Sequence, residues 1–379
     1  MNNSFLLAFS TLVGTIVGAG IFGLPYVISK SGVVPGIFYF VLIGGAVMLL
    51  HLLFGEICLR TKEKHRLMGY ASMYLGAWAQ TFAAIATIVG SVGTLLVYII
   101  FGGGFLVIAA SPFVQISNEL ASFVFWVFLS LCVLGGIRLI SRLEFIMSLA
   151  MLIISAVIFF FALPHFTPSH LSLFEGSNIF LPYGVVLFSL VGWAAIPEIA
   201  ELFKKSKEKK RLDNLVVWTF AAVVTFYALF TFLVVGVSGP ATSANALDGL
   251  KPFLGNSITI LGSLFGLFAL ATSFLVVGNY LKNSLRYDFK LPFLAAAAIA
   301  LLVPFGLFLL GLRNVIAIMG VLGALLGAVE GAIIVFIYQQ AKKKGDRTPE
   351  YKLRIPKFVL FALLGVLCLG ALAEIFATR

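Results

Sequence analysis

Two apolar segments about 175 positions apart carry the same interruption, and it limits what this chain can fold into. The first reads Val17-Gly18-Ala19-Gly20-Ile21-Phe22-Gly23-Leu24-Pro25, the second Val191-Gly192-Trp193-Ala194-Ala195-Ile196-Pro197. Each lies in a hydrophobic stretch long enough to cross a bilayer, and each sets glycine and proline where a spanning helix should be continuous. In a helix interior Gly costs about 1 kcal/mol and Pro about 3 kcal/mol, so a matched pair of breaks needs a reason. Within a bilayer, interrupted backbone persists only where protein or a water-filled cavity satisfies the freed N–H and C=O groups. Paired interrupted helices in corresponding positions of two halves are the sequence sign of a secondary transporter with its binding site at the breaks.

Composition agrees with a membrane setting, since the 379 residues are 61% hydrophobic and only 11% charged. Apolar stretches fall near residues 5–28, 34–59, 80–110, 119–138, 143–163, 179–203, 213–238, 257–281, 291–311, 314–338 and 357–376. Each approaches or exceeds the roughly 20 residues a bilayer core demands, so the sequence predicts eleven spanning helices. The boundary between 311 and 314 is the least marked. The net charge of +11 does not point to nucleic acid, because 22 of the 26 Lys and Arg residues fall in alternate loops, at 60–66, 138–142, 204–211, 282–290 and 342–357. Positive-inside bias then predicts a multi-pass protein of the cell (plasma or inner) membrane, with a cytoplasmic N-terminus and an extracytoplasmic C-terminus. The first apolar segment lacks a basic leader and a small-residue cleavage site, so it is expected to be retained. Cys58, Cys132 and Cys368 are odd in number and lack CxxC spacing, and they are read as packing residues.

No loop is long enough for a soluble domain. The stretch 60–79, with Tyr70, Met73, Tyr74, Leu75 and Trp78, is expected to hold a short interfacial helix, and 239–256, rich in small and turn residues, to form a lid. Five helices from each break, opposite in topology, make a five-plus-five inverted repeat. The expected units are 1–163, the first repeat; 164–338, the second; and 339–379, a cytoplasmic basic loop with an eleventh helix. The fold class is therefore an all-α polytopic membrane protein, a transporter fold with helices one and six broken.

The run Gly14-Thr15-Ile16-Val17-Gly18-Ala19-Gly20-Ile21-Phe22-Gly23-Leu24-Pro25 resembles the first helix of the amino acid-polyamine-cation transporter superfamily, whose pattern is Gly-x-Gly followed by Phe and Pro. Gly55-Glu56-Ile57 with Arg60 and Gly69-Tyr70 is similar to the family's second helix and following loop. The nearest relatives look like the bacterial aromatic and hydroxy amino acid permeases, which tend to have eleven helices. The resemblance implies that the N–H groups of Ala19 and Gly20, beside Gly18, hold a substrate carboxylate, and a half-helix N-terminus suits an anion. A packing face of Gly14 and Gly18 is the alternative.

At the second break, carbonyls from Ser189 to Gly192 are placed to accept a substrate ammonium, and Trp193 either stacks on a side chain or is simply packed. Tyr98 is a substrate contact by family analogy. Glu198 is a proton-carrying candidate, or a first-turn acid that stabilises a helix start. Glu330, on a Gly323-Gly327-Gly331 seam, should face the bundle, as a polar tie or a coupling site. Glu56 should pair with Arg60 four residues on.

Superfamily members that use sodium place one ion between helices one and eight. By that resemblance the ion would lie among carbonyls of Gly14, Val17 and Ala269 and hydroxyls of Thr272 and Ser273, unless those hydroxyls bond back to their own helix. Proton-driven relatives can put a Lys of helix five there, and 143–163 has none, which tilts the expectation toward sodium. The implied partners are an amino acid, a coupling ion and the lipid bilayer, with no other cofactor and no nucleic acid. No GxSxG, HExxH or phosphate loop suggests an enzyme, and His51, His65, His165 and His170 lack metal-ligand spacing. The rival classes are a passive channel or pore, which would favour a continuous polar lining, and a transporter-like sensor, which would more plausibly carry a long cytosolic extension.

Overall fold

The computed structural model describes residues 3–135, 137–203 and 205–377, and among them there is no strand. Lys204 and Arg379 of the charge pattern lie outside the described residues, as do the side chains of Arg138 and Arg142. The first apolar segment forms two helices, α1 (Asn3–Ile16) and α2 (Gly20–Ser31), bent by 49° about residues 17–19. There follow α3 (Val33–Arg60), α4 (Leu67–Leu75), α5 (Ala77–Ala110), α6 (Asn118–Leu134) and α7 (Ile137–Ala162). The second interrupted segment is split into α8 (Leu181–Leu190) and α9 (Ala195–Leu202), with a one-turn α10 (Ser206–Lys209) after it. Then come α11 (Leu212–Ser238), α12 (Leu247–Tyr287), α13 (Phe293–Leu309), α14 (Val315–Val321), α15 (Ala328–Lys344) and α16 (Lys357–Ala377). Seven described helices are long and apolar enough to cross a membrane by length and composition, or eight if the bent pair counts as one span; three shorter apolar helices accompany them.

The glycines break the first helix, and proline does not. Pro25 sits inside α2, whereas Gly18 and Ala19 lie in the turn between the half-helices. Pro197 is third in α9, in the first turn, where its missing N–H would have no intrahelical acceptor anyway.

One stretch differs in detail from expectation, and two others follow it. The segment expected at 257–281 begins at Leu247 and bends at Gly255 (φ 73°), so half of the expected lid is helical. Leu247 and Leu250 bury an apolar face that the small and turn residues around them disguise. The expected interfacial helix is α4, which buries Leu67, Met68, Tyr70 and Tyr74 and stops at Gly76 (φ 93°). The boundary near 311–314 is real, because Gly311 has φ 86° and Asn314 caps α14 by accepting the Ala317 N–H at 3.2 Å.

The loops sort by charge onto opposite ends of the bundle. At the basic end, Lys64 reaches Glu201, the Lys62 N–H donates to Asp346, and Ser4 at the start of α1 donates to Glu208. At the other end the Val33 N–H donates to Ser172 and the Thr167 N–H to Gly236. The first broken helix thus starts at the basic end, and the second finishes there.

Candidate functional site

The two breaks meet in the middle of the bundle and pack on each other reciprocally. A Cβ on Gly20 would run into the hydroxyl and backbone of Ser189, and one on Gly192 would lie 2.5 Å from Ile16 Cγ1. Only glycine permits both approaches. Around this junction lies a cavity of about 90 Å³ lined by residues of both breaks and of α5, α12 and the α14–α15 segment.

The cavity gathers Gly18, Ala19, Gly20, Tyr98, Ser189, Gly192, Trp193 and Glu330. Between α14 and α15 the backbone forms a π-helical turn, Leu322–Gly327, a feature frequent at functional sites because it re-aims the residues after it. Here a Cβ on Gly323 would strike the Gly184 carbonyl, so α8 and the turn touch backbone to backbone. Glu330 follows the turn and is held by two neutral donors: Trp193 Nε1–H at 2.8 Å to one oxygen and the Thr87 hydroxyl at 2.6 Å to the other. Among the described residues Glu330 has no ion-pair partner.

Glu198 is elsewhere. It sits at the basic end, 3.7 Å from Arg66 Nη2, while Arg66 Nη1 lies 3.0 Å from Glu201. Burial opposes the charge on Arg66, yet Glu198 and Glu201 outweigh it and hold the guanidinium pKa above its ordinary value. Glu56 pairs with Arg60 at 2.6 Å as its spacing implied, and its other oxygen accepts the Leu353 N–H.

The five oxygens considered for a cation fall into two groups. Ser273 Oγ lies 3.0 Å from the Gly14 carbonyl and 3.4 Å from that of Val17, joining α12 to the end of α1. Thr272 instead bonds back to the Ala269 carbonyl of its own helix at 3.0 Å. Thr272 thus meets the alternative of a bond back to its own helix, while Ser273 bridges to the first break.

Two side-chain clusters lie beyond the cavity, one towards each end of the bundle. Towards the basic end stand Arg66, Glu198 and Glu201. At the opposite end Phe22 packs against Phe105, Phe265, Phe101 and Phe230, with ring centroids 4.6, 5.8, 6.2 and 6.3 Å apart. Ser243, Ala244, Asn245 and Asp248 of the expected lid line a recess over Phe101 and Phe105.

Several contributors escaped the sequence reading. Thr87, Ser91 and Thr94 join Tyr98, already singled out in the sequence, in one cavity-facing stripe on α5, legible as spacings of four, three and four. Tyr280 adds a ring from α12. Tyr227 of α11 donates its hydroxyl to the Ile16 carbonyl at 2.8 Å, with the Ser189 carbonyl at 3.1 Å. Buried His51 donates its Nδ1–H to the Val47 carbonyl at 2.8 Å and rests against Trp193.

Known proteins share this architecture. MhsT, solved in complex with L-phenylalanine, superposes with a TM-score of 0.68 at 14% identity, covering 100% of this chain and 98% of its own. A nucleobase-cation-symport-1 family transporter, solved in a closed conformation with bromovinylhydantoin bound, gives the same TM-score and identity over 99% and 92%. These likenesses show an all-α transporter fold, to which the two broken helices belong. By sequence, the chain is 26% identical over 284 residues to Glutamine transporter 2 of Aliivibrio fischeri (strain ATCC 700601 / ES114), covering 72% of each protein. The relatives are transporters and not enzymes. Because the family model for transmembrane amino acid transporter proteins matches residues 1–370, the chain belongs to that family of multi-pass membrane transporters.

Proposed function

We propose that the chain is a symporter that carries a neutral amino acid by alternating access, driven by a sodium or proton gradient. The observation that carries this reading is the meeting of the two breaks around one cavity. The first-turn N–H groups of α2, at Ala19 and Gly20, offer the positive end of a helix to the substrate carboxylate. The end of α8 and the Gly192-Trp193 turn offer carbonyl oxygens to the ammonium. The Ser189 carbonyl has one lone pair engaged by Tyr227 and a second to give.

The side chain would lie along the Thr87, Ser91 and Thr94 stripe, which favours a neutral polar group, and a glutamine transporter stands among the relatives. An aromatic side chain is the second reading, favoured by the rings of Phe188, Trp193 and Tyr280 in the same lining. Sodium would be held by the Gly14, Val17 and Ala269 carbonyls with Thr272 and Ser273, which supply oxygen and no fixed positive charge. A proton on Glu330 is the rival drive, favoured by its place on the cavity wall between two neutral donors. Opening would then alternate between parting the Phe22 ring cluster and parting Arg66 from Glu198 and Glu201. We read residues 1–163 and 164–338 as the two repeats and 339–379 as the appended loop and eleventh span, with the basic end cytoplasmic and the host bilayer the cell membrane.

Uptake into proteoliposomes tests the reading. Saturable amino acid accumulation that needs an imposed sodium or proton gradient supports it; non-saturable flux would indicate a pore, and binding without flux a sensor.

A further inference from the structure

α1 ends at Ile16 and α8 at Leu190, so each leaves last-turn carbonyls without intrahelical partners. The Ile16 and Ser189 carbonyls are two of these, and the negative ends of two helix dipoles therefore converge on one spot. Tyr227 fills it. Its hydroxyl, fully buried, lies 2.8 Å from the Ile16 oxygen and 3.1 Å from that of Ser189. The phenol has a single proton, which the two carbonyls share. That suits a moving joint, since whichever carbonyl draws away, the other keeps the bond. α1 enters from the basic end and α8 from the opposite end, so the hydroxyl links half-helices that come from different halves of the chain.

We propose that Tyr227 is a positioning residue for transport, a pin that holds the inner ends of α1 and α8 together so that ordering one break orders the other. The proposal rests on reading the breaks as the substrate site. It adds that the two breaks act as one unit through a side chain that does not line the cavity. Removing the hydroxyl takes the side-chain partner from the Ser189 carbonyl and leaves the Ile16 carbonyl only the Gly18 N–H, without opening a void, so the fold should survive while the breaks loosen.

The test compares Tyr227→Phe with Tyr338→Phe in the full-length protein. Tyr338 is also a buried tyrosine, but its hydroxyl donates to the Leu353 carbonyl, far from either break. Amide hydrogen exchange of the substrate-free protein reads the breaks directly, and calorimetry with L-glutamine reads the site. In Tyr227→Phe we expect segments 14–22 and 186–196 to exchange about tenfold faster, with the other helices unchanged, and L-glutamine to bind about tenfold more weakly. Unchanged exchange at both segments, acceleration at only one, or acceleration spread over all helices would overturn the pin; so would an equal effect from Tyr338→Phe. Should wild-type protein bind no L-glutamine, the substrate reading is what suffers, and the exchange measurement still decides the role of Tyr227.

Discussion

Trp193 donates its indole N–H to Glu330 at 2.8 Å, tying the turn of the second break to the helix that follows the π-helical turn. The Thr87 hydroxyl holds the other carboxylate oxygen, so three separate elements converge on one acid. A half-buried, cavity-lining carboxylate with neutral donors alone is a costly arrangement, and in a transporter it marks a residue whose charge state is open to use.

If that acid carries the coupling proton, Glu330→Gln should abolish uptake driven by a pH gradient while leaving amino acid counterflow across a gradient-free membrane. Counterflow needs substrate exchange but no net proton movement. Gradient-driven uptake that persists in the variant would remove Glu330 from the coupling step.

The cation reading makes the opposite demand. Changing Thr272 and Ser273 together to Ala strips two of five oxygens, including the one between the Gly14 and Val17 carbonyls. Sodium should raise amino acid affinity in the wild type, and the double variant should lose that linkage while keeping weak ion-independent binding. Calorimetry across a sodium series at fixed ionic strength checks it; a flat wild-type series with affinity that tracks pH would favour the proton.

Gly20→Ala probes the close approach of the breaks. The added methyl would press into Ser189 and displace the N–H groups offered to the carboxylate. Misplacement on the scale of 1 Å can cost about a hundredfold, and a loss of that order is expected in substrate affinity, with a folded protein by thermal melt. Undiminished affinity would take the carboxylate away from this turn.

Arg66→Gln should weaken the closure at the basic end by removing its links to Glu198 and Glu201. A cysteine placed at Ala194, in a background lacking Cys58, Cys132 and Cys368, should then react faster with an impermeant reagent applied from that side. A partly buried pair worth about 1 kcal/mol gives a rise of about fivefold. No change in rate would mean that these ion pairs do not close the path.

The chain's bilayer setting, its paired breaks, and the glycines and tryptophan at them were legible in the residues alone. Hydropathy, charge distribution and helix-breaking chemistry act locally, and each is written into consecutive positions. Gly192 and Gly20 could be read because a glycine inside a spanning helix is conspicuous. Contacts between distant positions were not legible. Trp193 and Glu330 are 137 residues apart, and Tyr227 and Ile16 are 211 apart. Glu198, placed among the coupling candidates as an intramembrane acid, lies instead with Arg66 at one end of the bundle, where charge is solvated or paired. Tyr227 looked like any aromatic of an apolar helix, since nothing local distinguishes a phenol that faces two helix-end carbonyls from one that faces lipid. The sequence determined where the backbone would be interrupted; tertiary packing decided which side chains answer the interruptions, because local turns such as Gly18 N–H to the Ile16 carbonyl satisfy only part of the freed groups and the rest are met by side chains distant in the chain.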